Sequence, residues 1–360
     1  MSRGLGVYGI DFGTTYSCIA ITEGDGFVNI IDLRGDYNTP SVVALDVSGK
    51  WIVGRTAKSR LGLGKDPDNV VAFIKREISN PDFKCILQGK EFSPLDISSR
   101  IIKHLVDFAN KKRFYEDGKP PITDVVMTYP ACFDSLERER ILESCKMAGL
   151  NVLQCIDEPM ATALWYGRRF RDNKVLLIYD LGGGTFDVSI MKIEKGVPEC
   201  LSTRGDHHLG QVDWDRVIVD YALNEVGAKW EDLDKATQGM LMNAAEETRK
   251  IISDPDEKES VLTFNFNGVR NVTICRGDFE ARTASLMQRT KGYVQEALDV
   301  AGMQSFDIDE VIISGGSFRM PMVSKMLQSL FPDSEVKTVD PNFYVAAGAA
   351  YYGSLIASGY

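Results

Sequence analysis

The stretch Val175-Leu-Leu-Ile-Tyr-Asp-Leu-Gly-Gly-Gly-Thr-Phe-Asp187 decides how this chain reads. It opens as a run of apolar and β-branched residues, the pattern of a buried strand. Asp180 interrupts the run, and Gly182, Gly183, Gly184 and Thr185 follow. Glycines let the backbone approach a bulky anion and turn its N–H groups toward it. Thr185 adds a hydroxyl donor. A carboxylate at the strand end cannot hold a phosphate, but it can hold the hydrated Mg²⁺ that accompanies one. Taken alone, the stretch also reads as a glycine-rich hairpin, since short motifs recur by chance.

A second copy weighs against the hairpin. Val7-Tyr-Gly-Ile-Asp-Phe-Gly-Thr-Thr-Tyr16 repeats the layout, with Asp11, Gly13, Thr14 and Thr15 after an apolar strand. A third glycine turn, Val311-Ile-Ile-Ser-Gly-Gly-Ser317, follows another apolar run. Two strand–Asp–Gly–Thr turns in separate halves imply a duplicated α/β unit. Two phosphate-gripping loops would then face each other across a cleft that holds a nucleotide.

Composition bounds this reading. At 360 residues the chain is too long for one compact core and fits two lobes. It is 44% hydrophobic and 26% charged, as an ordinary globular protein is. A net charge of −10 argues against a nucleic-acid or anionic-membrane partner. The 7 cysteines are scattered, odd in number and without a CxxC, so a reducing, cytoplasmic compartment is expected, with no disulfide frame and no zinc site. No apolar run is long enough to span a bilayer, and the N-terminus lacks a signal-peptide layout.

Along the chain, residues 7–54 read as a strand meander that includes 27–32 after Gly24-Asp25-Gly26, and one strand over 39–46. Lys75 and Arg76 read by themselves as a solvated surface pair, and 79–93 as loop. Pro94 to Arg113 is an amphipathic helix, and Asp134-Ser-Leu-Glu137 opens another through a capping box. A strand over 153–157 delivers Glu158 just before Pro159. Residues 205–210 read as a loop with His207 and His208 too poorly placed for a metal. The helix 233–252 carries Glu246, Arg249 and Ser253 on neighbouring turns, by itself an exposed charged face. A hairpin turns on Asn267-Gly268. Single helices are expected over 276–301 and 317–331, and an Ala/Gly-rich one over 343–356.

These motifs together resemble the nucleotide-binding domain of the 70-kDa heat-shock protein chaperones, in the actin/hexokinase-like ATPase superfamily. The matching runs are Gly9-Ile-Asp-Phe-Gly-Thr-Thr-Tyr16, Tyr129-Pro-Ala131, Ala148-Gly-Leu-Asn-Val152, Asp157-Glu-Pro159, Asp180 to Asp187, Gly315-Gly-Ser317 and Ala346-Ala-Gly-Ala349. The resemblance covers residues 5–358. It implies an actin-like α/β fold of duplicated ribonuclease-H-like lobes, lobe I at 1–170 and lobe II at 171–360, with helix 342–358 packing back on lobe I. It also implies a slow ATPase using ATP/ADP, Mg²⁺ and K⁺. Asp11, Glu158 and Asp180 would organise Mg²⁺ through water, Asp11 and Asp180 also K⁺. Gly13, Thr14, Thr15, Tyr16, Gly182, Gly183, Gly184 and Thr185 would grip the phosphates. Lys75 would position the attacking water and Asp187 polarise it. Gly210, Glu246, Arg249, Ser253, Gly315, Gly316, Ser317, Arg319 and Asn342 would complete the nucleotide site. Pro130 and Glu158 match a relay that reports nucleotide state. Implied partners are J-domain co-chaperones, nucleotide-exchange factors, and peptide clients held by a linked domain expected outside this chain, which stops near where a linker would begin.

The chain departs from the pattern at Gly205-Asp-His-His-Leu-Gly-Gln-Val-Asp213, where His207 replaces threonine, Gln211 glycine and Val212 glutamate. Arg249 stands for lysine and Phe318 for threonine, and the segment between Lys75 and Pro94 is short. These departures keep a nucleotide-sensing, non-hydrolysing regulator as an alternative. A small-molecule kinase is disfavoured by the Glu-Pro and Gly-Gly-Gly-Thr-Phe-Asp runs.

Overall fold

The structure is a computed structural model, and it describes residues 6–22, 28–30, 37–168, 170 and 172–358; the side chains of 28–30, 317, 318, 341 and 342 are not described. The 24–26 turn and half of the strand expected over 27–32 (residues 27, 31 and 32) therefore lie outside the described residues, as does the side chain of Phe318.

Two five-membered strand paths carry the fold, and they match step for step. In the first, Val7–Phe12 pairs antiparallel with Tyr16–Thr22, which pairs antiparallel with Val28–Ile30. On its other side Val7–Phe12 runs parallel to Asp124–Tyr129, itself parallel to Asn151–Asp157. In the second, Lys174–Leu181 pairs antiparallel with Phe186–Glu194, then Val197–Asp206. On its other side it runs parallel to Glu310–Ser314, then Glu335–Thr338. Order and direction agree throughout, so the duplication read from two glycine turns extends to whole sheets. The central strands are buried on both faces, which is why they read as continuous apolar runs.

Each sheet ends in a helix that crosses to the other sheet. Glu158–Gly167 follows the first sheet, yet Ala163 and Tyr166 pack with Leu176, Ile178, Met191 and Ile312 of the second. Pro341–Ala357 follows the second, yet lies on the first: a Cβ at Gly9 would come within 2.2 Å of Ala350 N. The helices touch where a Cβ at Gly348 would sit 1.9 Å from Ala161 O, so only glycine permits the crossing.

Local chemistry moves several expected boundaries. The strand expected over 39–46 is two, Thr39–Pro40 and Val43–Leu45, in different sheets. Between them Ser41 turns inward, its N–H donating to Thr15 O at 2.9 Å and its Oγ to Gly13 O at 2.7 Å. Residues 79–93 hold a hairpin, Cys85–Leu87 with Lys90–Phe92, turning on Gln88 (φ 47°) and Gly89 (φ 70°). Gln-Gly can make this turn but marks it less plainly than Asn-Gly. The helix expected over 276–301 breaks at Thr283, whose hydroxyl donates to Phe279 O at 2.7 Å. The helix expected from 317 starts at Pro321, which has no N–H to give an earlier turn. Val197–Asp206 carries strand into the 205–210 loop. The capping box at Asp134 and Glu137 forms as expected. No helix among the described residues is long and apolar enough to cross a membrane, and all 7 cysteines are free.

Candidate functional site

The two glycine turns meet at the mouth of the two sheets. A Cβ at Gly183 would fall 2.4 Å from Thr15 Oγ1, and one at Gly184 2.6 Å from Thr14 Oγ1. Each turn is braced from behind. Gly182 N donates to Thr185 O at 3.0 Å, and the first N–H groups of helix Gln211–Glu225, on Gln211 and Val212, donate to Gly182 O and Gly183 O at 3.0 Å. Carbonyls are thereby drawn to the rear, which leaves the turn's other N–H groups for the cleft side. Gly210 packs beneath: a Cβ there would be 2.5 Å from Gly183 O. Gly315, at φ 76°, lies so close that a Cβ would be 2.3 Å from Leu181 O.

The turns floor a cleft of about 370 Å³. At its base stand Asp11, Glu158 and Asp180, with Lys75 among them. Glu158 is not in a turn. It is the first residue of its helix, capped by Asp157, whose side chain accepts from Met160 N at 2.7 Å. Lys75 is 3% exposed, sits near the rings of Phe12 and Phe133, and donates to Glu158 Oε1 at 2.9 Å. Burial pushes the Asp11 carboxyl well above the usual range, and Glu158 adds to it. Burial and Glu158 push Asp180 up to about 7. Lys75 pulls both back, but not far enough. Asp187 lies just behind the cleft lining, pushed up by burial and then by Glu158 and Asp180, with its Oδ1 accepting from Cys132 N at 2.7 Å. Such a cluster carries more negative charge than its surroundings offset, and a cation would relieve it. Among the described residues no three His, Cys, Asp or Glu side chains converge to ligate a metal directly.

The opposite end is lined by Tyr16, Glu246, Arg249, Lys250, Gly316 and Arg319. The exposed charged face expected at 246–253 is in fact buried here. Glu246 Oε1 accepts from Tyr16 Oη at 2.9 Å and from Lys250 Nζ at 2.7 Å, and Oε2 from Lys58 Nζ at 2.5 Å. Burial alone would raise Glu246, but Lys58 and then Lys250 outweigh it and hold it at about 2. Arg249 Nε donates to Asp215 Oδ1 at 2.6 Å, both 4% exposed. Burial keeps Asp215 above its usual value even so.

Not every expected residue lines the cleft. Gly184, Gly210 and Asp187 support it from behind, and Ser253 is spent within its helix, its Oγ donating to Arg249 O at 2.7 Å. The side chains of Ser317 and Asn342 lie outside the described residues. Conversely, sequence reasoning passed over Asn38, Lys250 and Val345, which line the cleft. Lys250 was within reach as the partner four residues after Glu246. Arg76 is no solvated side chain. Its guanidinium donates to Gly184 O at 3.0 Å and to Asp213 Oδ2 at 2.6 Å, tying the Lys75 segment to the second glycine turn. His207 pairs its Nδ1 with Glu137 at 2.9 Å and stacks on Phe133.

Comparison with known proteins agrees with this architecture. The family model described as Hsp70 protein matches residues 7–83 and 77–359. The chain belongs to the Hsp70 family. The chaperone protein DnaK of Mycoplasmopsis synoviae (strain 53) is 36% identical over 359 residues, 98% of this chain and 59% of that protein. DnaK of Mycoplasmopsis pulmonis (strain UAB CTIP) is 37% identical over 361 residues, 98% of this chain and 58% of that protein. This Hsp70 chain thus spans about three fifths of the length of the curated relatives it matches, the part that holds the Hsp70 nucleotide-binding domain.

Proposed function

We propose that the cleft binds ATP and hydrolyses it slowly, and that its nucleotide state controls client binding by a linked peptide-binding domain. The observation that carries this reading is the pair of matched Gly–Thr turns in contact above a lysine and a cluster of buried carboxylates. Phosphoryl transfer to water needs positioning and charge neutralisation more than covalent chemistry, and these groups supply both.

Thr14, Thr15, Thr185 and the N–H groups of the glycine turns grip the phosphates. Glu246, Arg249, Lys250 and Arg319 hold the nucleoside end. Lys75, kept straight by Glu158 and two aromatic rings, positions the attacking water and offsets charge on the γ-phosphate. Asp187, its carboxyl pushed up by burial, polarises that water and takes its proton as the water oxygen bonds to phosphorus and the bond to the β-phosphate oxygen breaks. Asp11, Glu158 and Asp180 would hold Mg²⁺ through its water shell, and Asp11 and Asp180 would hold K⁺. Bound there, Mg²⁺ neutralises phosphate charge. The lobes fall at 1–170 and 171–360. The relatives carry the name chaperone, which supports peptide clients, J-domain co-chaperones and nucleotide-exchange factors as partners in the cytoplasm.

The test is single-turnover hydrolysis of ATP by the purified chain with Mg²⁺ and K⁺, beside Lys75→Ala. Slow conversion in the parent, lost in the variant with binding kept, is expected. Normal hydrolysis by Lys75→Ala would overturn the role of Lys75. Tight ATP binding by the parent without conversion would overturn the hydrolytic reading in favour of a nucleotide sensor.

A further inference from the structure

Gln211 occupies a position between the two ends of the cleft. It is the first residue of helix Gln211–Glu225, and its N–H is spent on Gly182 O of the glycine turn at 3.0 Å. One turn later the same helix presents Asp215, which grips Arg249 at the opposite end of the cleft. The Gln211 side chain lines the cleft and is 8% exposed. Its Nε2 donates to Leu181 O at 2.9 Å, which fixes the carboxamide. The amide lies flat over Gly316: a Cβ there would come 2.8 Å from Nε2 and 2.9 Å from Oε1. Gly316 is therefore the seat on which this side chain rests. Among the described residues nothing donates to Oε1.

One amide N–H is committed to Leu181 O, and the carbonyl oxygen of this cleft-lining side chain is an acceptor that no donor among the described residues meets. If phosphates sit on the glycine turns and the base end at Glu246 and Arg249, the segment beside Gln211 is the sugar, whose hydroxyls are donors. We infer that Gln211 is a sugar-reading residue: its Oε1 accepts a hydrogen bond from a ribose hydroxyl and selects ribonucleotides over nucleotides lacking those hydroxyls. This rests on the nucleotide reading above. A bound nucleotide without the hydroxyls covers the carbonyl and leaves it unpaired, and the asymmetry between a made and an unmade hydrogen bond in a covered site gives the discrimination.

The experiment measures dissociation constants for ADP and for 2′,3′-dideoxy-ADP, in the parent chain and in Gln211→Leu, which keeps much of the side-chain bulk and removes the amide. The parent should prefer ADP, and Gln211→Leu should reduce the ratio of the two constants by roughly five- to tenfold. A ratio unchanged in Gln211→Leu would overturn the role of Gln211 while leaving nucleotide binding intact. Failure of the parent to bind either nucleotide would overturn the nucleotide reading and this inference together, so the two failures are told apart by the parent alone.

Discussion

Removing the Lys58 charge should loosen the strap at the Glu246 end of the cleft by an amount the structure sets. Lys58, on helix Arg55–Gly62, donates to Glu246 at 2.5 Å and to Tyr16 Oη at 2.7 Å. Glu246 belongs to helix Lys235–Ser253 of the other half. Its carboxyl is held at about 2 against a usual 4.5, although burial pulls the other way. At about 1.4 kcal/mol per tenfold, that depression corresponds to about 3 kcal/mol at neutral pH. Lys58 is first among the groups that lower it and Lys250 second, so losing Lys58 removes a share on the order of 1–2 kcal/mol. The folded-state value lies below the unfolded one. The contribution is therefore full above about pH 4.5 and is lost as pH falls toward 2. The assay is a double-mutant cycle of Lys58→Met and Glu246→Gln, read by urea unfolding of the nucleotide-free chain at pH 7 and again at the lowest pH where it stays folded. A coupling of about 1–2 kcal/mol at pH 7 that shrinks on acidification is expected. Additive effects at pH 7, within about 0.5 kcal/mol, would refute the reasoning.

Arg76→Lys should cost about 1–2 kcal/mol in urea unfolding and weaken nucleotide binding, because an ammonium cannot span Gly184 O and Asp213 as the guanidinium fork does; unchanged stability and affinity would count against the tie. Gly315→Ala should abolish nucleotide binding and lower the melting temperature, since φ is 76° and the new Cβ would meet Leu181 O at 2.3 Å, a strain of about 2 kcal/mol or more. A variant that binds ADP normally by calorimetry would show that the turn tolerates a side chain. Gly348→Ala should destabilise the chain by about 3 kcal/mol in thermal melts, because Ala161 O would lie 1.9 Å from the added methyl. A melt matching the parent would mean that the helices can part at no cost.

The fold and the meeting of the two glycine turns were legible because they depend on backbone. Strand–Asp–Gly–Thr is a local pattern, and a glycine required by close approach leaves a mark in the sequence wherever it occurs. The end of the cleft at Glu246 and Arg249 was harder to read because it depends on pairing at long range. Glu246 and Arg249 look like solvent-facing charges until Lys58, 188 residues away, and Asp215, 34 away, are placed beside them. Arg76 was misjudged for the same reason: its acceptors lie more than 100 residues on. Ser41 divides an otherwise convincing strand because its hydroxyl is needed behind the first glycine turn, and no periodicity encodes that need. The halves announce their kinship through turns, while the polar ties between them, such as Arg76 to Asp213 and Lys58 to Glu246, join residues outside the repeated turns.

Those contacts differ in kind, and the difference bears on how the cleft can move. On the cleft side the halves are joined by polar ties: Arg76 to Gly184 and Asp213, Lys58 to Glu246, Glu137 to His207, and Cys132 N–H to Asp187. Each exchanges protein for water at a net cost of about 1 kcal/mol when broken. At the rear, the crossing helices are locked by Gly348 on Ala161 and by fully buried side chains of both halves, where parting would expose apolar surface and open voids. Opening is therefore cheap at the mouth and expensive at the crossing, and the low-cost motion is a rotation about the crossing. A ligand that bridges the two glycine turns adds to the polar ties and biases that rotation. The helices Glu158–Gly167 and Pro341–Ala357 form that crossing. Glu158 stands at the first turn of one of them and holds Lys75, so the cleft lysine is tied directly to a helix of the crossing.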